Sequence, residues 1–336
     1  MGDDMATSAG ESEPVLPPDQ VRRVGGDIDI VPPTGALARG APERKLMRAD
    51  RYDRLAQLVI HEELTPTGTV LMTFRVVDDK PFRFEPGHFV GIRAEVGEHG
   101  VRRSPYCIAS TPNEEATFDL LVRLVPEGPL SYYLAGLQVG DVIHFRGPSG
   151  RSMVPKEADT DVVLVATGVG VGPCLPLARH LLAENADRPI QLYWGLRLED
   201  DICMLDELDE LAGDHRSFRY AISLSQPPTD WTGLRGRVTE SVPGLLKTLG
   251  DKSFCLVGNG AMTHEMATAL SDFGVDPRRI HEEIYFNVKH RPDPAVLEDI
   301  RERFVASDLF SPYAHQKAGL FMPETPVTAS RRSRPR

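Results

Sequence analysis

Near residue 159 the sequence changes rhythm, and no single architecture accommodates both halves. Upstream, short runs in which apolar and polar residues alternate (LAQLVIHEEL, TVLMTFRVV, HFVGIRA, TFDLLVRL and DVIHFRG) are split by Pro86-Gly87, Gly97, Pro112 and Gly140-Asp141. Several short strands at such spacing predict a small antiparallel β-barrel over residues 51–156, with one short helix around 129–137. Downstream, apolar strands (VVLVATG, PIQLYWG, RYAISLS, SFCLVG and IHEEIYF) alternate with segments of helical composition at 172–184, 201–212, 238–248 and 261–273. That alternation predicts an α/β doubly wound domain over 157–288, a parallel sheet with helices on both faces. A chain of 336 residues suits two such domains. It leaves a proline- and glycine-rich arm at 1–50, expected to be loosely attached. It also leaves a C-terminal extension at 289–336 that contains an amphipathic stretch, PAVLEDIRERFVASDLF.

Charge and cysteine usage exclude several function classes. The net charge, 38 − 49 = −11, is the wrong sign for neutralising nucleic-acid phosphates. A local basic segment (Arg39, Arg44, Lys45, Arg48, Arg51 and Arg54, against Glu43, Asp50 and Asp53) is either a solvated tail or a docking patch. No run of 18 apolar residues exists, so no membrane-spanning helix is expected, and the acidic, proline-containing start does not resemble a signal peptide. Cys107, Cys174, Cys203 and Cys255 stand singly, without the spacing of a zinc or iron–sulfur centre. His61, His264 and His281 each precede a glutamate, but H-E-x-x-H is absent and no metal site is expected. A reducing cytoplasm fits this cysteine usage.

Two glycine-bearing turns carry the chemistry of the second half. VVLVATG runs into Gly168, Gly170 and Gly172 and then a helix, which frees backbone N–H groups for a pyrophosphate. Leu256-Val-Gly-Asn-Gly-Ala-Met262 repeats the strand–turn–helix pattern. Two such turns at the carboxyl edge of one sheet define a ligand crevice, or are two ordinary βα turns. In the barrel half, Arg102-Arg-Ser-Pro-Tyr-Cys-Ile-Ala-Ser110 joins cations, an aromatic face and hydroxyls. Such a set suits a phosphorylated planar cofactor, or is a charged loop leading into a strand.

Taken together, these segments resemble the ferredoxin–NAD(P)H reductase family, from about Leu55 to Phe286 and in the family's order. SPYCIAS resembles the R-x-Y-S flavin motif, and GPLSYYL the G-x-x-S-x-x-L pyrophosphate motif. ATGVGVGP is similar to the T-G-x-G-x-A-P nicotinamide loop, and LVGNGAM to C-G-N-x-x-M. The resemblance implies an antiparallel Greek-key barrel that binds FAD in preference to FMN, and an α/β domain that binds NADH or NADPH. It implies that Arg103, Ser104, Tyr106, Cys107, Ile108, Ala109 and Ser110 surround the flavin, with Tyr106 stacked on the ring and Gly128 and Ser131 at its pyrophosphate. Thr167, Gly168, Gly170 and Pro173 would line the nicotinamide path, with Gly258, Asn259 and Met262 opposite. Tyr285 and Phe286 would lie near the flavin and, with Tyr106 and Cys107, form the reacting centre. The implied acceptor is a ferredoxin, a flavodoxin or an oxygenase component. A flavin-binding electron conduit without competent nicotinamide binding is the rival.

The sequence also departs from the family pattern. The motif arginine aligns with Ser104, so either a local insertion brings Arg103 to the phosphate or that contact is lost. Cys107 replaces a serine, and a thiol is the weaker donor. Val257 replaces a cysteine and Gly172 an alanine. Where NADPH-using relatives carry Ser-Arg for the 2′-phosphate, this chain has Ser225-Gln226, with Arg235 and Arg237 a short loop away. A modest preference for NADH is therefore expected.

Overall fold

The computed structural model describes residues 54–125, 128–157, 160–286 and 291–308. The N-terminal arm with its basic segment up to Arg51, and the arginine-rich C-terminal tail, lie outside the described residues. The first half is a six-stranded antiparallel sheet, made of β1 (Arg54–Thr65), β2 (Thr69–Val76), β3 (Phe89–Glu95), β4 (Val101–Cys107), β5 (Thr117–Arg123) and β6 (Val142–Ser149). The strands lie in the order β4-β3-β6-β1-β2-β5, which crosses connections as a Greek key does. Ile108 bridges to Leu120, and the Ala109 N–H donates to the Asp119 carbonyl at 2.8 Å, so the two edge strands close on each other. Period-two alternation sends Ala56, Leu58, Met72, Phe74, Ile92, Phe118, Leu120 and Phe145 inward, and all are fully buried. A seven-residue helix, α1 (Pro129–Ala135), follows β5.

β4 is the strand that periodicity does not reveal. Its burial does not alternate, because Arg102, Arg103 and Pro105 are all exposed. A proline fits there because the strand is an edge of the sheet and need not donate on its open side.

The second half is a parallel sheet of β7 (Asp161–Thr167), β8 (Ile190–Leu196), β9 (Phe218–Leu224), β10 (Leu234–Arg235), β11 (Lys252–Asn259) and β12 (Ile280–Phe286), in the order β10-β9-β8-β7-β11-β12. The order reverses at β7, between β8 and β11, where open α/β sheets hold their ligands. Helices α2 (Val171–Glu184) and α3 (Leu205–Asp214) cover one face. Helices α4 (Val238–Ser241), α5 (Gly260–Asp272) and α6 (Pro294–Asp308) cover the other. Successive strand residues divide between the faces, with Leu164 and Trp194 in the α2 core and Val165 and Tyr193 in the α5 core.

Two helices differ from expectation. The segment expected to be one helix over 238–248 breaks after four residues, because Pro243 has no N–H to continue the ladder and starts a separate 3₁₀ turn. α3 begins at Leu205, after Met204 turns the chain with φ +53°, not at 201. In the C-terminal extension, α6 buries Ile300 and Phe304 against the α5 core, and Arg301 pairs with Asp272. Among the described residues no helix is long and apolar enough to cross a membrane.

Candidate cofactor sites

Two cavities meet at the boundary between the halves. The first, of about 350 Å³, is walled by Ser104, Tyr106, Cys107 and Ala109 of the barrel, by Gly128 and Ser131 around the start of α1, and by Pro173, Glu283 and Tyr285 of the α/β domain. The second, of about 560 Å³, runs along the carboxyl edge of the parallel sheet past Thr167, Gly168, Gly195, Ser225, Gly258 and Asn259. Arg123 and Val169 line both.

The first cavity combines an aromatic wall with polar groups. The half-buried Tyr106 packs against the barrel core and presents an aromatic wall. Burial pushes its hydroxyl well above the usual tyrosine range. Burial also raises the Cys107 thiol, as does the neighbouring Glu283 carboxylate. Tyr285 is raised by burial and by the neighbouring Cys107 and Glu283. Glu283 is lifted by burial, against the opposing effect of the neighbouring thiol. A tyrosine, a thiol and a carboxyl therefore stand together on the cavity wall.

Other barrel residues act through the backbone. Ser131 Oγ donates to the Gly128 carbonyl at 2.7 Å and accepts from the Val125 N–H at 3.1 Å, so its hydroxyl shapes the turn that begins α1. Ile108 is buried in the barrel closure, and Ser110 Oγ accepts from the Asp119 N–H at 3.0 Å. Neither lines the cavity.

β3 and β4 pair without a shift from Phe89↔Cys107 to Glu95↔Val101, so no extra residue is inserted between Arg103 and Tyr106. Ser104, Pro105, Tyr106 and Cys107 line the cavity, and Arg103 stands just outside that run. No bulge in this pairing turns Arg103 onto the face of Tyr106. The cation on this wall is Arg123 at the end of β5.

In the second cavity the two glycine turns are laced together. Gly168 has φ +55°, and its carbonyl accepts the indole N–H of the buried Trp194 at 2.8 Å. A Cβ on Gly170 would stand 2.5 Å from the Val257 carbonyl oxygen, and one on Gly258 2.3 Å from Thr167 Oγ1. Thr167 Oγ1 accepts the Asn259 N–H at 2.9 Å, and the Asn259 side chain caps α5 by accepting from Ala261 at 2.8 Å. The crossing chains need glycine to approach so closely, and they leave a cradle suited to a pyrophosphate and ribose. Met262 adds an apolar wall, whereas Pro173 faces the flavin cavity.

At the far end of the cleft, the residues expected to read the 2′-phosphate separate. Ser225 and Arg237 line it, joined by Arg197. Gln226 accepts from Arg197 Nε at 3.2 Å. Arg235 instead donates to the carbonyls of Pro228, Thr229 and Trp231 at 3.3, 3.0 and 2.8 Å, which makes it a staple of its own loop. The backbone of Phe286 ends β12 opposite Asn259.

Sequence reasoning missed Glu283, Arg123, Arg197 and Trp194. Glu283 was legible, because it stands two residues before Tyr285 on a strand and must share its face. Arg123 ends a strand with ordinary alternation, and nothing local marks it.

Comparison with known proteins assigns the two halves to known domains. Residues 56–153 match the oxidoreductase FAD-binding domain and residues 164–268 the oxidoreductase NAD-binding domain. The chain is 32% identical over 247 residues to ferredoxin–NADP reductase B of Sorangium cellulosum, covering 71% of this chain and all of that protein. It is 32% identical over 239 residues to the reductase subunit of an aromatic O-demethylase from Amycolatopsis, covering 67% of this chain and 70% of that one. With NADH-cytochrome b5 reductase 1 of Dictyostelium discoideum it shares 31% over 197 residues, 58% of this chain and 68% of the relative. The crystal structure of an Amycolatopsis cytochrome P450 reductase superimposes with a TM-score of 0.63 at 28% identity, over 69% of each chain. With a flavin domain, a nicotinamide domain and a full-length relative at this identity, the chain belongs to the ferredoxin–NAD(P)H reductase family.

Proposed function

We propose that the protein takes electrons from NAD(P)H and passes them through FAD to a ferredoxin. The observation that carries this is the junction of the two cavities at Arg123 and Val169, which brings a nicotinamide site against a flavin site. When bound, the flavin supplies the chemistry, accepting an electron pair as hydride and releasing electrons singly. The chain's own residues position and enclose. Tyr106 offers a face for the ring, Tyr285 closes the cavity from the other domain, and the Cys107–Glu283 pair can hold a proton inside it. No further general acid or base is required, because the protein's part is alignment and exclusion of water. The four cysteines are free thiols, and a cluster that accepts the electrons one at a time is expected to come from outside these two domains.

A second reading, the reductase of a multicomponent oxygenase, is favoured by the similarity to the aromatic O-demethylase reductase subunit. A flavodoxin is the other acceptor of suitable chemistry. Steady-state reduction of a panel of ferredoxins, a flavodoxin and oxygenase components, with NADH and NADPH side by side, tests these. Efficient turnover with a free ferredoxin supports the proposal, and turnover only with an oxygenase component supports the second reading.

A further inference from the structure

Arg123 is the charged residue shared by both cavities, and a carboxylate from the other domain already holds it. Its Nη1 donates to Thr67 Oγ1 at 2.7 Å and Thr69 Oγ1 at 3.2 Å, both on the barrel, and to Asp201 Oδ1 at 3.0 Å. Asp201 lies in the turn before α3, so the ion pair crosses the domain boundary. The Thr67 hydroxyl makes a second crossing to the Asp200 carbonyl at 3.4 Å. Asp201 also lines the nicotinamide cleft, and its side chain is only 10% exposed. A partly desolvated carboxylate in a cleft shaped for a pyrophosphate repels the ligand unless a cation neutralises it, and here the same cation is the one a phosphate would seek.

We propose that Asp201 is a built-in competitor of the dinucleotide. It holds Arg123 and latches the two domains in the free protein, and it yields the guanidinium to the phosphates when NAD(P)H enters. The proposal rests on the assignment of the cleft to the dinucleotide. Its consequence is that Asp201 weakens binding, because part of the phosphate–arginine interaction replaces an ion pair that already exists. The barrel threonines give Arg123 partners that do not depend on Asp201, so the guanidinium stays at the junction when the carboxylate is removed. Asp201→Asn removes the charge and keeps one acceptor: the amide oxygen can take the Leu198 N–H that the carboxylate accepts at 3.2 Å, which turns the amide NH2 toward Arg123 and releases the guanidinium.

The test is the dissociation constant of NAD⁺ and of NADP⁺, measured by calorimetry on the flavin-loaded protein at low ionic strength. Asp201→Asn is expected to tighten binding about tenfold, and Arg123→Met to weaken it by a similar factor. A purely structural ion pair moves both variants in the same direction, so the opposite signs are the signature. If asparagine disturbs the turn, Asp201→Ser keeps a hydroxyl acceptor for Leu198 and carries the same expectation. No tightening in either Asp201 variant overturns the proposal while leaving the reductase function standing. A native protein that binds neither dinucleotide overturns the assignment of the cleft itself.

Discussion

Tyr106, Cys107, Glu283 and Tyr285 come from strands more than 170 residues apart in sequence and form one wall of the flavin cavity. Loss of the ring in Tyr106→Ala is expected to weaken flavin retention, since a stacked aromatic contributes roughly 0.5–1.5 kcal/mol beyond its buried area. Dialysis followed by absorbance reads it, and full retention would remove the stacking role. Glu283 makes a pH-dependent prediction. Its folded pKa is raised by burial, so its contribution to stability is greatest below the unfolded value and is lost as pH rises through the folded value. Glu283→Gln should therefore gain on the native protein in thermal unfolding as pH rises above the ordinary glutamate range, because the native carboxyl must then become charged while buried. A difference independent of pH would mean that Glu283 is well solvated. Much of this site was legible in the sequence, since Tyr106, Cys107 and Tyr285 sit on recognisable motifs. The position of Arg103 was not legible, because one residue of offset on a strand reverses the face and only the pairing with β3 fixes the register.

At the scale of elements, the glycine turns depend on what is packed behind them. Trp194 holds the Gly168 carbonyl from below, and Gly168 itself is exposed. Trp194→Phe keeps most of the buried ring and loses one hydrogen bond of about 1 kcal/mol, so NAD⁺ affinity should fall about fivefold with little change in melting temperature. Equal affinity would free the turn from its indole. Gly172 explains a departure from the family. A Cβ there would lie 3.1 Å from Ala109 Cβ and 3.3 Å from Leu121 Cβ, so the absent methyl lets the start of α2 pack directly on the barrel. The strand and helix order was readable from periodicity. The break in α4 was readable from Pro243, whereas β10 is too short to leave a pattern. Cofactor preference belongs at this scale too. Arg235 staples a loop and Arg237 lines the cleft, so Arg237→Ala should lower kcat/KM for NADPH more than for NADH, while Arg235→Ala leaves the ratio near the native value. A ratio that collapses only in Arg235→Ala would reverse that assignment.

The whole molecule is a barrel and a parallel sheet joined so that their ligand cavities share a wall. The join is not a flexible tether. Ala109, Leu121 and Met153 of the barrel side belong to the same apolar core as α2, and Arg188 pins the connecting segment by donating to the carbonyls of Glu157 and Thr160 at 2.8 and 2.9 Å. Packing of this kind fixes one cofactor site relative to the other, which transfer of a hydride between rings requires. The sequence showed two domains in the right order but not their interface, because contacts such as Arg123–Asp201 join residues 78 positions apart with no local signal. The most direct test is an anaerobic stopped-flow experiment on the flavin-loaded protein. NADH or NADPH should bleach the flavin absorbance in a single fast phase, and oxidised ferredoxin added afterwards should restore it. A flavin that stays oxidised with both nucleotides, in protein that binds them, would contradict the account.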